Sequence, residues 1–355
     1  MTYFDYNATT PMCAAAQEAW LKANRNHWYN ASSLYKEAAA TSQHLDAARE
    51  RLAELLGCDA MRIVFTSGAT EANNSLFSHF GDKRCHISAI EHPSVRVPAR
   101  AEAIPVSADG ILDMNHLPLQ SDLVSVMAAN NESGVIQPWK QIMKTCRDRG
   151  IAFHSDATQW IGKLEASELG QCDYLSGSAH KFGGPKGCGF LVLRDEEESW
   201  AFLRGGPQEN RRRAGTENYP AIEAMVTALE HVTQRLPEMN SAHRDAFVKR
   251  VRTFLPNVEV VNEDAPRLWN TVMLVMPRHD NRRWLARLSQ AGFAVSTGSA
   301  CSSGVEGSSV VLQALGTAPD ALKRTLRVSG GWDTTLQEWI SLADAMREVL
   351  SSLDR

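Results

Sequence analysis

The stretch Tyr174-Leu175-Ser176-Gly177-Ser178-Ala179-His180-Lys181, followed by Phe182-Gly183-Gly184-Pro185, decides how the rest of this sequence is read. Its apolar start predicts a buried strand, and its glycines and proline predict a turn just after the lysine. A lysine at the end of a buried strand is poorly placed for a surface charge. Burial lowers an amine's pKa and frees it to attack a carbonyl, which is the chemistry of imine-forming lysines. Upstream, the apolar run Ile151-Ala152-Phe153-His154-Ser155 ends in Asp156. An imine-forming lysine and a carboxylate for a pyridinium nitrogen are the pair that pyridoxal phosphate needs. The plainer reading is a strand-end ion pair between Asp156 and Lys181, and the motifs around them weigh against it.

Working outward, short apolar runs at 62–65, 85–90, 122–128, 151–154, 174–176 and 189–193 alternate with amphipathic stretches such as 71–79 and 139–149. Strands alternating with helices predict a mostly parallel α/β sheet covered on both faces, with ligands at the carboxyl ends of its strands. Residues 38–56 read as a long helix closed by Gly57, and 217–254 as two helices meeting near Pro237. Further strands at 258–261, 271–276, 293–296 and 325–328 predict a second, smaller α+β unit, with the first dozen residues packing onto it. The expected division is 13–240 for the large domain and 1–12 plus 241–355 for the small one.

Composition narrows the classes. The chain has 355 residues, 43% hydrophobic and 22% charged, with a net charge of −4, so it reads as an ordinary soluble globular protein. No basic patch suggests nucleic acid and no apolar run suggests a membrane span. The N-terminus lacks the pattern of a secretory signal. Cysteines at 13, 58, 85, 146, 172, 188 and 301 include no C-x-x-C pair, so neither zinc nor a disulfide framework is expected. A reducing cytoplasm fits best.

Several constellations carry chemistry. Thr66-Ser67-Gly68-Ala69-Thr70-Glu71 opens a helix after a strand, as a phosphate cradle or as an ordinary helix cap. His92, in Glu91-His92-Pro93-Ser94, can lie over a pyridine ring and relay protons, or simply cap the next helix. Asn130-Asn131-Glu132-Ser133-Gly134 can bind a substrate carboxylate or a cofactor ring oxygen, or be a polar turn. Asp156-Ala157-Thr158-Gln159 sets a carboxylate and an amide three apart. Arg211-Arg212-Arg213-Ala214-Gly215-Thr216 suggests anion contact. In Ser299-Ala300-Cys301-Ser302-Ser303-Gly304 a thiol lies amid small polar residues, the context of an exposed nucleophile rather than of a core cysteine.

Together these residues resemble the cysteine desulfurases, pyridoxal-phosphate enzymes of aminotransferase class V. The motifs, beginning with Asp5-Tyr6-Asn7-Ala8-Thr9-Thr10-Pro11 and ending with Ser299-Ala300-Cys301, run in matching order nearly end to end. The resemblance implies a fold type I transferase: a large, mostly parallel α/β/α domain and a smaller α+β C-terminal domain. It implies that Lys181 holds the cofactor covalently and later moves the substrate α-proton. His92 would stack on the ring, Asp156 pair with its nitrogen, and Gln159 contact its oxygen. Ala69, Thr70, Ser178 and His180 would bind the phosphate, with Thr216 reaching in from a second subunit of a homodimer. Asn131 and Arg327 would hold the substrate carboxylate. Cys301 would take sulfur from L-cysteine as a persulfide, releasing L-alanine. The sulfur would pass to an acceptor protein serving iron–sulfur assembly, tRNA thiolation or DNA sulfur modification. A selenocysteine lyase or another class-V enzyme is the alternative.

Where the family usually has serine-leucine-glycine-arginine, this chain has Ser329-Gly330-Gly331-Trp332, which implies a change in local substrate or tunnel shape. Ser178-Ala179 replaces a common serine-glycine pair, with no effect expected. The chain ends at Arg355, soon after the last predicted helix. The C-terminal extension with which housekeeping members grip an iron–sulfur scaffold is therefore not expected.

Overall fold

The computed structural model describes residues 1–194, 200–297 and 309–355. In chain order its strands are β1 (Thr2–Tyr3), β2 (Ile63–Thr66), β3 (Cys85–Ser88), β4 (Glu102–Ile104), β5 (Leu123–Ser125), β6 (Ala152–Asp156), β7 (Tyr174–Ser178), β8 (Gly189–Val192), β9 (Glu259–Val260), β10 (Thr271–Val275), β11 (Phe293–Ala294) and β12 (Thr325–Ser329). The central sheet has the order β2-β8-β7-β6-β5-β3-β4. Only β8 runs against its neighbours there. This is the α/β, mostly parallel architecture expected of a fold type I enzyme.

Local sequence explains the close fits. Every residue of β7 is buried, and a Cβ on Gly177 would lie 2.4 Å from the Phe190 ring, so the strand tolerates only glycine there. The helix Lys36–Leu56 stops at Gly57, whose φ of 71° is left-handed and whose missing side chain admits Ser167 O. The helix Trp139–Asp148 buries Trp139, Ile142, Met143 and Cys146, one face at helical spacing, against the sheet.

Strand bounds differ from expectation by a residue or two at most ends, and three expected strands are shorter: 85–90 ends at Ser88, 293–296 ends at Ala294, and 122–128 is only Leu123–Ser125. Past Ser88 and Ser125 the backbone keeps single bonds to its neighbours, Ala89 N to Ile104 O and Val126 and Ala128 N to His154 and Asp156 O, while Glu91, His92, Met127 and Ala129 reach the cavity described below. β4 was not expected, because two of its three residues are exposed.

A second core lies around the antiparallel sheet β12-β10-β9 and the helices Ala242–Arg252, Asn281–Gln290 and Leu336–Leu353. It contains Trp284, Phe247, Trp339 and, from the chain's start, Phe4. β1 pairs in parallel with β11, and Ser329 N donates to Phe4 O at 2.9 Å. The N-terminal segment therefore joins this second sheet and carries Asn7 and Ala8 over the carboxyl ends of the first.

Candidate active site

The carboxyl ends of β2, β3, β5, β6 and β7 open onto one cavity of about 770 Å³, a size that accommodates a small cofactor with a substrate. Lys181 stands in the short turn after β7, and its Nζ donates to Asn7 O at 2.6 Å and to Ala8 O at 2.7 Å. Asp156 accepts from other partners, Asn73 Nδ2 at 2.9 Å and Thr158 N at 3.0 Å. Asp156 is buried at the end of β6 and lines the same cavity.

His92 both caps and faces. Its Nδ1 accepts from Ser94 N at 3.1 Å, capping the turn Pro93–Arg96, and the ring lines the cavity. That bond leaves the proton of a neutral ring on Nε2. Burial lowers its pKa; Asp156 pulls the other way and Lys181 adds to the lowering. His180 is pushed down to about 4, by burial first and then by Lys181, Lys186 and Lys163. Its Nδ1 is 3.1 Å from Thr9 Oγ1.

Ala69 and Thr70 open the helix Ala69–Phe80 after Gly68, whose φ of 150° favours glycine, and their N–H groups have no acceptor within the helix. The facing Gly189 is what allows the close approach: a Cβ there would lie 2.6 Å from Gly68 Cα. Ser178 ends β7 beside them. Gln159 is buried, with Nε2 donating to Asn7 O at 2.9 Å. Arg327, in β12, is 1% exposed; Nη2 pairs with Asp5 Oδ1 at 2.6 Å and Nη1 donates to Asn131 O at 2.9 Å. The Oδ1 of Asn131 is buried with no partner among the described residues.

Two expected residues are not brought here. Thr216 is exposed and does not line the cavity. Cys301 lies outside the described residues, although Ser296 exchanges backbone hydrogen bonds with Arg327 on one side and Ser309 lines the cavity on the other. The triple arginine needs correction as an anion site. Arg213 Nε donates to Glu71 Oε1 at 2.9 Å and Arg212 Nη1 to Met61 O, so two of the three guanidinium groups bind the protein itself. Arg327, too, sits inside a strand of the second sheet rather than at a strand end of the first.

Other residues of the site were not foreseen. Glu91 is buried with Oε1 taking Ser88 Oγ at 2.6 Å and Met127 N at 2.7 Å, and burial raises its pKa to about 8. Lys163 is 2% exposed, its Nζ 2.6 Å from Gln159 Oε1. The signal for Lys163 was present in Gln159-Trp160-Ile161-Gly162-Lys163, a lysine one turn beyond the amide in an apolar context.

The sequence pattern of the family Aminotransferase class-V matches residues 2–339. A cysteine desulfurase IscS of Dictyoglomus turgidum is 33% identical over 99% of this chain and 95% of its own length. The chain belongs to the aminotransferase class-V family, among the cysteine desulfurases. Its shape agrees. The X-ray structure of a NifS-like protein from Rickettsia africae matches with a TM-score of 0.90 at 29% identity, covering 99% of both chains. A structure of SspA in complex with cysteine matches with a TM-score of 0.80 at 28% identity, over 93% of this chain and 98% of that one.

Class-V desulfurases work with pyridoxal phosphate, and the cavity of this class-V chain fits that group. It offers an amine, a buried carboxylate, a ring with a lowered pKa and free helix-start N–H groups. Asn131 Oδ1 and Thr158 Oγ1, buried and without a partner among the described residues, mark where polar groups of a bound molecule complete the hydrogen bonding. Among the described residues, no helix is long and apolar enough to cross a membrane.

Proposed function

We propose that this chain removes sulfur from L-cysteine, giving L-alanine and a persulfide on Cys301 that is handed to an acceptor protein. The observation that carries the reading is the convergence of Lys181, Asp156, His92 and Gln159 on one cavity in a chain related end to end to cysteine desulfurases. Pyridoxal phosphate, when bound, supplies an electron sink that acidifies the substrate's α-carbon and loosens its Cβ–S bond.

The protein's residues do the rest. Lys181 anchors the cofactor and then moves the α-proton, since its amine already stands at the cavity wall. Asp156, pinned by Asn73 and Thr158, would hold its carboxyl group toward the ring nitrogen. His92, whose pKa burial lowers, would pack against the ring from the cavity wall it lines. The first N–H groups of Ala69 and Thr70, with Ser178 and His180, receive the phosphate. Asn131 and Arg327 receive the substrate carboxylate, Arg327 being held rigid by Asp5. Cys301 attacks the substrate sulfur as a thiolate.

We further infer a pair of copies, with Thr216 serving the neighbouring subunit's phosphate. Its exposure, and the exposed apolar Trp20, Leu21, Trp28, Leu34 and Tyr35, support this. The division into 13–240 and 1–12 plus 241–355 is supported by Phe4 packing in the second core. The test is Lys181→Ala. The wild type is expected to be yellow and to release alanine from cysteine, and the variant to lose both. A variant retaining the visible band and turnover would remove Lys181 from this role.

A further inference from the structure

Lys163 is a cation-capable group sealed in the protein interior, in a place the reaction above does not use. It is 2% exposed, and the charges acting on it among the described residues are two more cations, Lys181 and Arg327. Burial first, and then those two groups, push its pKa well below the ordinary lysine value. Such a group persists only where its hydrogen bonds are specific.

Its surroundings hold it in place. Gly162, with a left-handed φ of 77°, lets the turn lie against Phe182, the residue after Lys181; a Cβ there would be 2.4 Å from Phe182 Cβ. Two indoles fix the backbone: Trp332 Nε1 donates to Gly162 O and Trp269 Nε1 to Lys163 O, each at 2.9 Å. The Lys163 side chain then folds back one turn and donates to Gln159 Oε1 at 2.6 Å.

An amide has two ends, and which one faces a ligand decides whether it donates or accepts. Here the choice is made twice. Asn7 O, which can only accept, takes Nε2 at 2.9 Å, and Lys163 Nζ takes Oε1 from the other side. We propose that Lys163 is a positioning residue: by gripping Gln159 Oε1 it keeps the Gln159 NH₂ aimed as a donor toward the cofactor's ring oxygen and strengthens that donor. The inference rests on the assignment of Gln159 to the ring oxygen. Polarising the amide from its oxygen end makes its N–H groups better donors. A stabilised ring oxygen competes less for the proton it shares with the lysine-linked nitrogen, so that proton is lost at lower pH.

The experiment is a pH titration of the visible absorption band of the cofactor-loaded protein, without substrate. Lys163→Met keeps the length of the side chain and removes the donor; its band midpoint is expected to rise by about one pH unit. Lys163→Gln, whose NH₂ can donate to the same oxygen, is expected to return most of the way to the wild-type midpoint. Where Lys163→Met does not fold, the glutamine variant is compared with Lys163→Leu. In a Gln159→Leu background, Lys163→Met is expected to add no further shift, because the effect travels through the amide. A midpoint unchanged in Lys163→Met, or a full additional shift in the Gln159→Leu background, would overturn the proposal. A wild type with no band dependent on Lys181 would instead sink the underlying site assignment, so the two failures are distinct.

Discussion

Glu91 makes the stability of this protein depend on pH in a direction opposite to that of most carboxylates. Its Oε1 is held by Ser88 Oγ and Met127 N, while Oε2 is buried with no partner among the described residues. Burial is the largest cause of its raised pKa of about 8, and Asp156 adds to the rise. In the unfolded chain the group titrates near its ordinary value of about 4.3. Between those two values the folded chain holds a proton that the unfolded chain has released. Stability therefore falls as pH rises from the unfolded pKa through about 8, by about 1.4 kcal/mol per pH unit in the steep part of the window. Glu91→Gln keeps an oxygen for Met127 N and cannot ionise, so it does not share the loss.

The assay is urea unfolding of the two proteins, equally loaded with cofactor, at several pH values from 5 to 8.5. Taking the difference cancels every other titrating group. A constant offset is expected from the new NH₂, which lacks an acceptor and costs about 1–3 kcal/mol. Superimposed on it, the variant should gain on the wild type steadily as pH rises, and flatten above about 8. A gap that does not change with pH would show that Glu91 ionises normally in the folded protein, and the burial argument would fail.

Two further substitutions test the scaffold. Arg49 and Glu209 form a bidentate pair at 2.8 Å with side chains 9% and 2% exposed, tying the loop before Arg213 to the edge of β2. Arg49→Met should cost about 3–5 kcal/mol in denaturant unfolding by stranding the carboxylate; a loss under about 1 kcal/mol would contradict that. Gly330→Leu restores a residue usual in the family, yet its Cβ would lie 2.8 Å from Trp339 Cζ2. The result should be a protein less stable by about 1–3 kcal/mol, and a neutral or stabilising effect would mean that Trp339 repacks freely.

The sequence made the strand ends legible because apolar, β-prone runs break off into polar or glycine-rich residues there, as at Asp156 and Ser178. That rule placed Lys181, Asp156, His92 and Gln159 around one cavity without any knowledge of distances. It failed where burial depends on tertiary partners. Lys163 follows no strand end, and its apolar neighbours in sequence do not show that Trp269 and Trp332 close over its turn. Asn7 resembles a turn residue, yet its carbonyl takes bonds from both Gln159 and Lys181. The arginines of 211–213 looked available for an external anion because Glu71, the partner of Arg213, stands far away in the chain. The departure at Ser329-Gly330-Gly331-Trp332 has a packing reason: Gly330, where the family has leucine, lies where a Cβ would be 2.8 Å from Trp339 Cζ2, and the Trp332 ring, where the family has arginine, packs edge-on to Tyr6.

The most direct measurement is mass spectrometry of the cofactor-loaded protein after brief incubation with L-cysteine, followed by peptide mapping. The account predicts one added sulfur atom on the peptide containing Cys301, removable by a thiol reductant, and no addition in Lys181→Ala. Alanine release with the added sulfur on another cysteine, or with none on the protein, would contradict it.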